Sequence, residues 1–104
     1  NISKSKWVFL WIMILKTISS KEMYGYEIVT ELKNLSNDYF HLKTGTLYPL
    51  LQKMVENKLL DVYQVNHKQN RTYYKITDYG FECLQQEIQN WKKYSKAVNK
   101  VLGI

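Results

Sequence analysis

Residues 78–102 set the tightest limit on what this chain can fold into. Phe81, Leu84, Ile88, Trp91, Ser95, Val98 and Leu102 recur at alternating intervals of three and four, a heptad-like seam along one face of a helix. At 1.5 Å per residue such a helix is roughly 37 Å long. A single domain of 104 residues cannot cover that stripe along its whole length. A partner chain is therefore expected to cover it, with Phe81, Leu84, Ile88, Trp91, Val98 and Leu102 in the interface.

The preceding residues divide into three shorter helices and a hairpin. An unbroken apolar run from Trp7 to Leu15 predicts a first helix over about 5–18, buried on nearly all sides. It superficially resembles a signal peptide, but it contains two Trp and lacks a small-residue cleavage site. Nine apolar residues also fall well short of the ~20 that a membrane span needs. The polar stretch Ser19 to Met23 ends this helix. A second is expected over 25–35, with Ile28, Val29 and Leu32 as its apolar stripe and Glu27, Glu31 and Lys33 facing water. Ser36-Asn37-Asp38 reads as a loop.

A third helix is expected over 44–56, because Leu47, Leu50, Leu51 and Met54 fall at i, i+3, i+4 and i+7. Pro49 lies near its start, where it removes one hydrogen bond without ending the helix. Two β-rich runs, 59–65 and 71–76, flank a polar tip and predict a hairpin. Thr77 is placed to cap the last helix. Three helices, a two-stranded wing and a long helix make a mainly α chain of the winged helix-turn-helix class. Residues 1–77 form the winged domain and 78–104 a dimerisation helix of the same compact unit.

Charge and chemistry narrow the function. Fifteen Lys and Arg against nine Asp and Glu give a net charge of +6, which suits a polyanionic partner, nucleic acid or an anionic membrane surface. His41, His67 and Cys83 have no metal-ligand spacing, and no Ser/His/Asp set or Gly-rich phosphate loop can be assembled. Neither catalysis nor a cofactor is expected. A lone cysteine excludes an intrachain disulfide and fits a reducing cytoplasm. Cys83 itself reads as a half-buried helix residue or as a redox-sensitive thiol.

The third helix is the candidate reading element for double-stranded DNA. With its leucines inward, its opposite face holds Thr46, Pro49 and Lys53, flanked by Tyr48 and Gln52, with Lys43 and Thr44 at its start. Such small, polar and basic side chains suit a major groove. The hairpin tip adds His67, Lys68 and Arg71 for the phosphate backbone or the minor groove. The bland alternatives are a solvated helix face, a polar turn and an Arg71 that merely braces the wing. A winged module that binds protein or RNA is the rival class, and the cluster of Lys43, Lys53, Lys68 and Arg71 argues against it.

Three segments carry a resemblance. Tyr24-Gly25-Tyr26-Glu27-Ile28, Gly45-Thr46-Leu47-Tyr48-Pro49-Leu50-Leu51, and Arg71-Thr72-Tyr73-Tyr74-Lys75-Ile76-Thr77 with Gly80 closely resemble the PadR family of transcriptional regulators. The chain's length suggests the compact branch with one C-terminal helix. The resemblance implies a homodimer built by the first helix (Trp11 included) and the last, repressing at a pseudo-palindromic operator. It also implies release by a small aromatic or drug-like effector. Trp7, Trp11 and Trp91 are the candidate effector residues, their rings either converging in the dimer or simply filling its interface. Tyr24 and Tyr26 are expected to pack the second helix, and Tyr48 to set its hydroxyl on a phosphate. Only one of Tyr73 and Tyr74 can be core, since they alternate across a strand.

Two positions depart from the family pattern. Lys58 stands where Gly is usual after the third helix, so Asn57 or Lys58 must take the left-handed cap. Lys43 stands where Ser or Thr usually opens that helix and cannot accept a capping hydrogen bond.

Overall fold

The computed structural model describes residues 2–66 and 70–104, and the side chains of residues 9–65 and 71–104. In chain order it comprises α1 (Ile2–Ser19), β1 (Met23–Tyr24), α2 (Gly25–Leu35), α3 (Thr44–Glu56), β2 (Leu60–Asn66), β3 (Asn70–Ile76) and α4 (Asp78–Leu102). The three strands form one antiparallel sheet in the order β1-β3-β2. It is a mainly helical winged-helix fold with a small sheet.

The core lies where α1, α2, α3 and the sheet meet. Ile14, Leu15, Ile18, Met23, Ile28, Leu47, Leu51, Met54, Leu60 and Leu84 are all but completely buried. The helix-spaced leucines of α3 face inward as expected, and each fully buried leucine contributes about 2–3 kcal/mol of transfer free energy. Thr17 is the one buried polar side chain among the described residues. Its hydroxyl donates to the Met13 carbonyl at 2.7 Å, so it costs little there. Of the two adjacent tyrosines, Tyr74 is the core residue.

α2 and α3 end alike, each with an αL residue. After α3, Lys58 takes φ 65° while Asn57 stays at φ −86°. The Lys58 N–H donates to Val55 and the Leu59 N–H to Met54, the paired bonds of a Schellman ending. After α2, Asn37 (φ 51°) does the same, its N–H donating to Asn34 and that of Asp38 to Lys33. Asn tolerates this conformation better than Lys does. Lys58→Gly is therefore expected to raise stability by about 1 kcal/mol, which a urea midpoint would register. An unchanged midpoint would mean the neighbouring contacts already absorb the strain.

Four expectations need correction. Leu84 was placed on the dimer seam, but it is 0% exposed and belongs to the chain's own core. Heptad spacing marks which positions are covered without saying by which chain, and the first turns of α4 are covered by the chain's own core. Tyr26 was expected to pack α2 but is 67% exposed. The inward stripe of α2 is Gly25, Ile28 and Leu32, and position 26 lies about 200° around the helix from Ile28. The stretch Ser19 to Met23 was read as a break, yet Met23 begins β1. A two-residue strand shows no periodicity and exists only because the free edge of β3 pairs with it. Finally, α1 starts before residue 5.

The ends of α4 are closed from within the chain. Thr77 accepts the Gly80 N–H at 2.8 Å and donates to the Lys58 carbonyl at 2.7 Å. The Thr77 N–H donates to the Leu59 carbonyl at 3.1 Å. Gly80 is buried so close to that carbonyl that a Cβ there would overlap it. The end of α3 and the beginning of α4 thus share one main-chain joint.

Candidate DNA-binding surface

α3 presents its polar face to solvent. Lys43, Thr44, Gly45, Pro49, Gln52 and Lys53 are exposed, Tyr48 is 47% exposed, and Thr46 is half-buried. Lys43 is the N-cap and makes no side-chain capping bond, as its chemistry requires. No acidic residue lies in the first turn. The opening N–H groups of α3 therefore face outward beside a lysine, a combination that favours an anion. Nothing lies within 4 Å of a Cβ built on Gly45, so that turn is open to close approach. Pro49 lacks the N–H that would bond the Gly45 carbonyl, yet α3 runs through it without interruption.

Two further contacts brace α3. Gln52 donates to Glu56 at 3.3 Å, and the Asn57 side chain donates to the Lys53 carbonyl at 2.8 Å. The Tyr48 ring lies over the start of α2, its hydroxyl 2.5 Å from where a Gly25 Cβ would be. Burial pushes the Tyr74 phenol up, and Tyr48 adds to that. Tyr48 thus packs α3 against α2 while its edge remains accessible.

The wing is a regular ladder from Leu60↔Ile76 to Asn66↔Asn70. Arg71 lies on β3, half-buried, with its guanidinium 4.2 Å from the centre of the Tyr24 ring. His67 and Lys68 lie outside the described residues. At the sheet's other margin Tyr63 donates to the Glu22 carboxylate. That bond, followed by partial desolvation and the charges of Glu22 and Tyr73, pushes the Tyr63 phenol up to about 12.

The tryptophans separate. Trp91 is 45% exposed and packs edge-on against Phe9 at 4.7 Å, with Tyr94 6.0 Å away. Beside it is an apolar hollow of about 390 Å³ lined by Phe9, Ile12, Met13, Phe40, Ile88 and Trp91. Trp11 lines a different hollow, with Lys53, Asn57, Leu59, Tyr79 and Cys83. Within one chain Trp11 and Trp91 do not meet, because positions 9 and 11 of α1 are about 200° apart around the helix. The Trp7 side chain lies outside those described. The Cys83 thiol is half-buried beside Tyr79, and its proximity pushes the Tyr79 phenol up.

Sequence reasoning missed two aromatic side chains here. Phe40, in the segment between α2 and α3, closes the Trp91 hollow, and its N–H donates to the Ser36 hydroxyl at 3.0 Å. The adjacent bulky pair Tyr39-Phe40 in an otherwise polar connection was the available signal. The Tyr24 ring lies against the Arg71 guanidinium, which no local pattern reveals.

A third helix with an open polar face, next to a two-stranded wing and packed across a helix-turn-helix, defines a winged-helix regulator. The chain belongs to the PadR-like family of transcriptional regulators, whose sequence model matches residues 14–86. Similar solved structures include a PadR-like transcriptional regulator from Bacillus cereus, 37% identical, with a TM-score of 0.76 over 89% of this chain and 90% of that one. A PadR family regulator from Clostridium difficile is 32% identical, with a TM-score of 0.77 over 88% and 95%. A transcriptional regulator from Clostridium thermocellum is 28% identical, with a TM-score of 0.81 over 86% and 88%. An uncharacterised protein of Lysinibacillus sphaericus is 32% identical over 89 residues, covering 84% of this chain and 82% of that protein. Among the described residues no helix is long and apolar enough to cross a membrane.

Proposed function

We propose that the protein is a homodimeric cytoplasmic repressor that binds double-stranded DNA at a pseudo-palindromic operator. The observation that carries this reading is the open face of α3, where Lys43, Thr44, Gln52 and Lys53 stand exposed beside a free helix N-terminus. Lys53 reaches the groove and Arg71 meets a phosphate of the same duplex, within a chain of net charge +6. The helix-turn-helix pair places α3 in the major groove, and the wing lies along the adjacent backbone.

Dimerisation is supported by the far half of α4. Trp91, Tyr94, Val101 and Leu102 are all substantially exposed, a stripe of apolar surface that a second copy would cover. The hollow beside Trp91 supports an effector. Its walls are apolar and aromatic, it is of the size of small-molecule sites, and it suits a planar aromatic ligand. Trp91, with Phe9 and Phe40, is the side we assign to it; Trp11 belongs to the other hollow.

Fluorescence anisotropy with the duplex upstream of the protein's own gene, against a scrambled duplex at several salt concentrations, tests the reading. A salt-sensitive preference of ~10³ or more is expected. Equal binding of both duplexes would reduce the protein to a polycation on a polyanion. Repeating the titration with a planar aromatic dye reads the effector: the dye should quench Trp91 and weaken operator binding together.

A further inference from the structure

Three tyrosines stand abreast on one face of the sheet, one from each strand. The register sets Tyr24 opposite Tyr73, and Tyr73 opposite Tyr63. The rings of Tyr63 and Tyr73 stack at 5.8 Å and 17°, and Tyr24 meets Tyr73 edge-on at 5.6 Å and 67°. Arg71 precedes Tyr73 by two residues, so it shares this face, and its guanidinium lies over the Tyr24 ring.

The row is fastened at both ends. Tyr63 is bonded to Glu22, and the Tyr24 N–H donates to the Glu27 carboxylate at 3.2 Å, tying Tyr24 to the first turn of α2. An arginine on an exposed strand otherwise samples many rotamers and must surrender that freedom on meeting a phosphate. Stacking on a fixed ring removes part of that loss beforehand. A guanidinium over a ring face is also held by attraction to the ring itself, which leaves its planar set of five N–H donors for other partners.

We propose that Tyr24 is a positioning residue for DNA binding: its ring holds the Arg71 guanidinium where the phosphate backbone arrives, without itself touching DNA. This rests on the DNA-binding reading of the wing given above. The hydroxyl of Tyr24 has no part in it, so Phe should serve as well.

The test is a double-mutant cycle on a fluorescein-labelled duplex of mixed sequence, since a phosphate contact does not depend on the operator. Tyr24→Leu is expected to weaken binding about three- to fivefold. Tyr24→Phe should bind as the parent does. In an Arg71→Ala background, Tyr24→Leu should cost nothing further. In the free protein, the Arg71 Nε–H resonance should be ring-current shifted in the parent and in Tyr24→Phe, and unshifted in Tyr24→Leu. Equal losses from Tyr24→Leu in both backgrounds would overturn the proposal, as would a loss in Tyr24→Phe. If Arg71→Ala itself binds normally, the phosphate contact fails and the positioning role with it. A resonance that is still shifted would then show the stacking to be sound and the DNA reading of the wing to be at fault.

Discussion

Gly80→Ala is expected to cost about 2 kcal/mol and to lower the thermal unfolding midpoint by roughly 8–16 °C. Two effects oppose each other. Ala is the better helix former by up to about 1 kcal/mol, less in a first turn. Against that, the added methyl would overlap the Leu59 carbonyl and crowd the Ile76 side chain at 3.0 Å. The carbonyl is main chain and already accepts the Thr77 N–H, so it cannot swing aside as a side chain would. Overpacking against a fixed backbone costs about 1–3 kcal/mol and sometimes more, which outweighs the helix gain. Gly25→Ala is the natural control: the atoms nearest its methyl belong to the Tyr48 side chain, which can move where a main-chain carbonyl cannot. A midpoint for Gly80→Ala within a degree or two of the parent would show that α4 can slide on the end of α3.

Glutamates placed together at Val98 and Leu102 are expected to convert the proposed dimer to a folded monomer and to weaken its binding to the proposed operator by about 10²-fold or more. Leu102 is 65% exposed and Val98 half-buried, both beyond the part of α4 that packs on the chain's own core. The folded chain should tolerate the change. Buried in an interface, two carboxylates cost several kcal/mol. Losing one half-site contact converts an effectively intramolecular second binding event into a separate one, which is the source of the affinity loss. Sedimentation velocity reads the first outcome and anisotropy the second. A double variant that remains dimeric would place the interface elsewhere on the molecule.

The helices were legible because their determinants are local. The limits of α2, α3 and α4 follow from apolar spacing and from cap residues within a few positions, as Thr77 shows. The outward face of α3 followed as well, being the complement of four inward leucine and methionine side chains. What the sequence could not tell was which surface covers which. Leu84 and Trp91 occupy the same seam, yet one is sealed by the chain's own core and the other stands half open. Trp11 and Trp91 look like partners in the sequence but face different hollows. β1 and the contact between Tyr24 and Arg71 depend on 46 to 50 residues of intervening chain bringing two short segments together, as the pairing of Met23 with Tyr74 records. No window of local pattern contains that information.

The joint between Lys58, Leu59, Thr77 and Gly80 has a consequence for how such a protein can diverge. Its contacts are made largely by peptide groups, one hydroxyl and the absence of a side chain, so few substitutions elsewhere disturb it. The outward faces of α3 and α4 can therefore be rewritten separately, each changing what it meets without moving the other. The angle between the two helices stays fixed while both vocabularies drift.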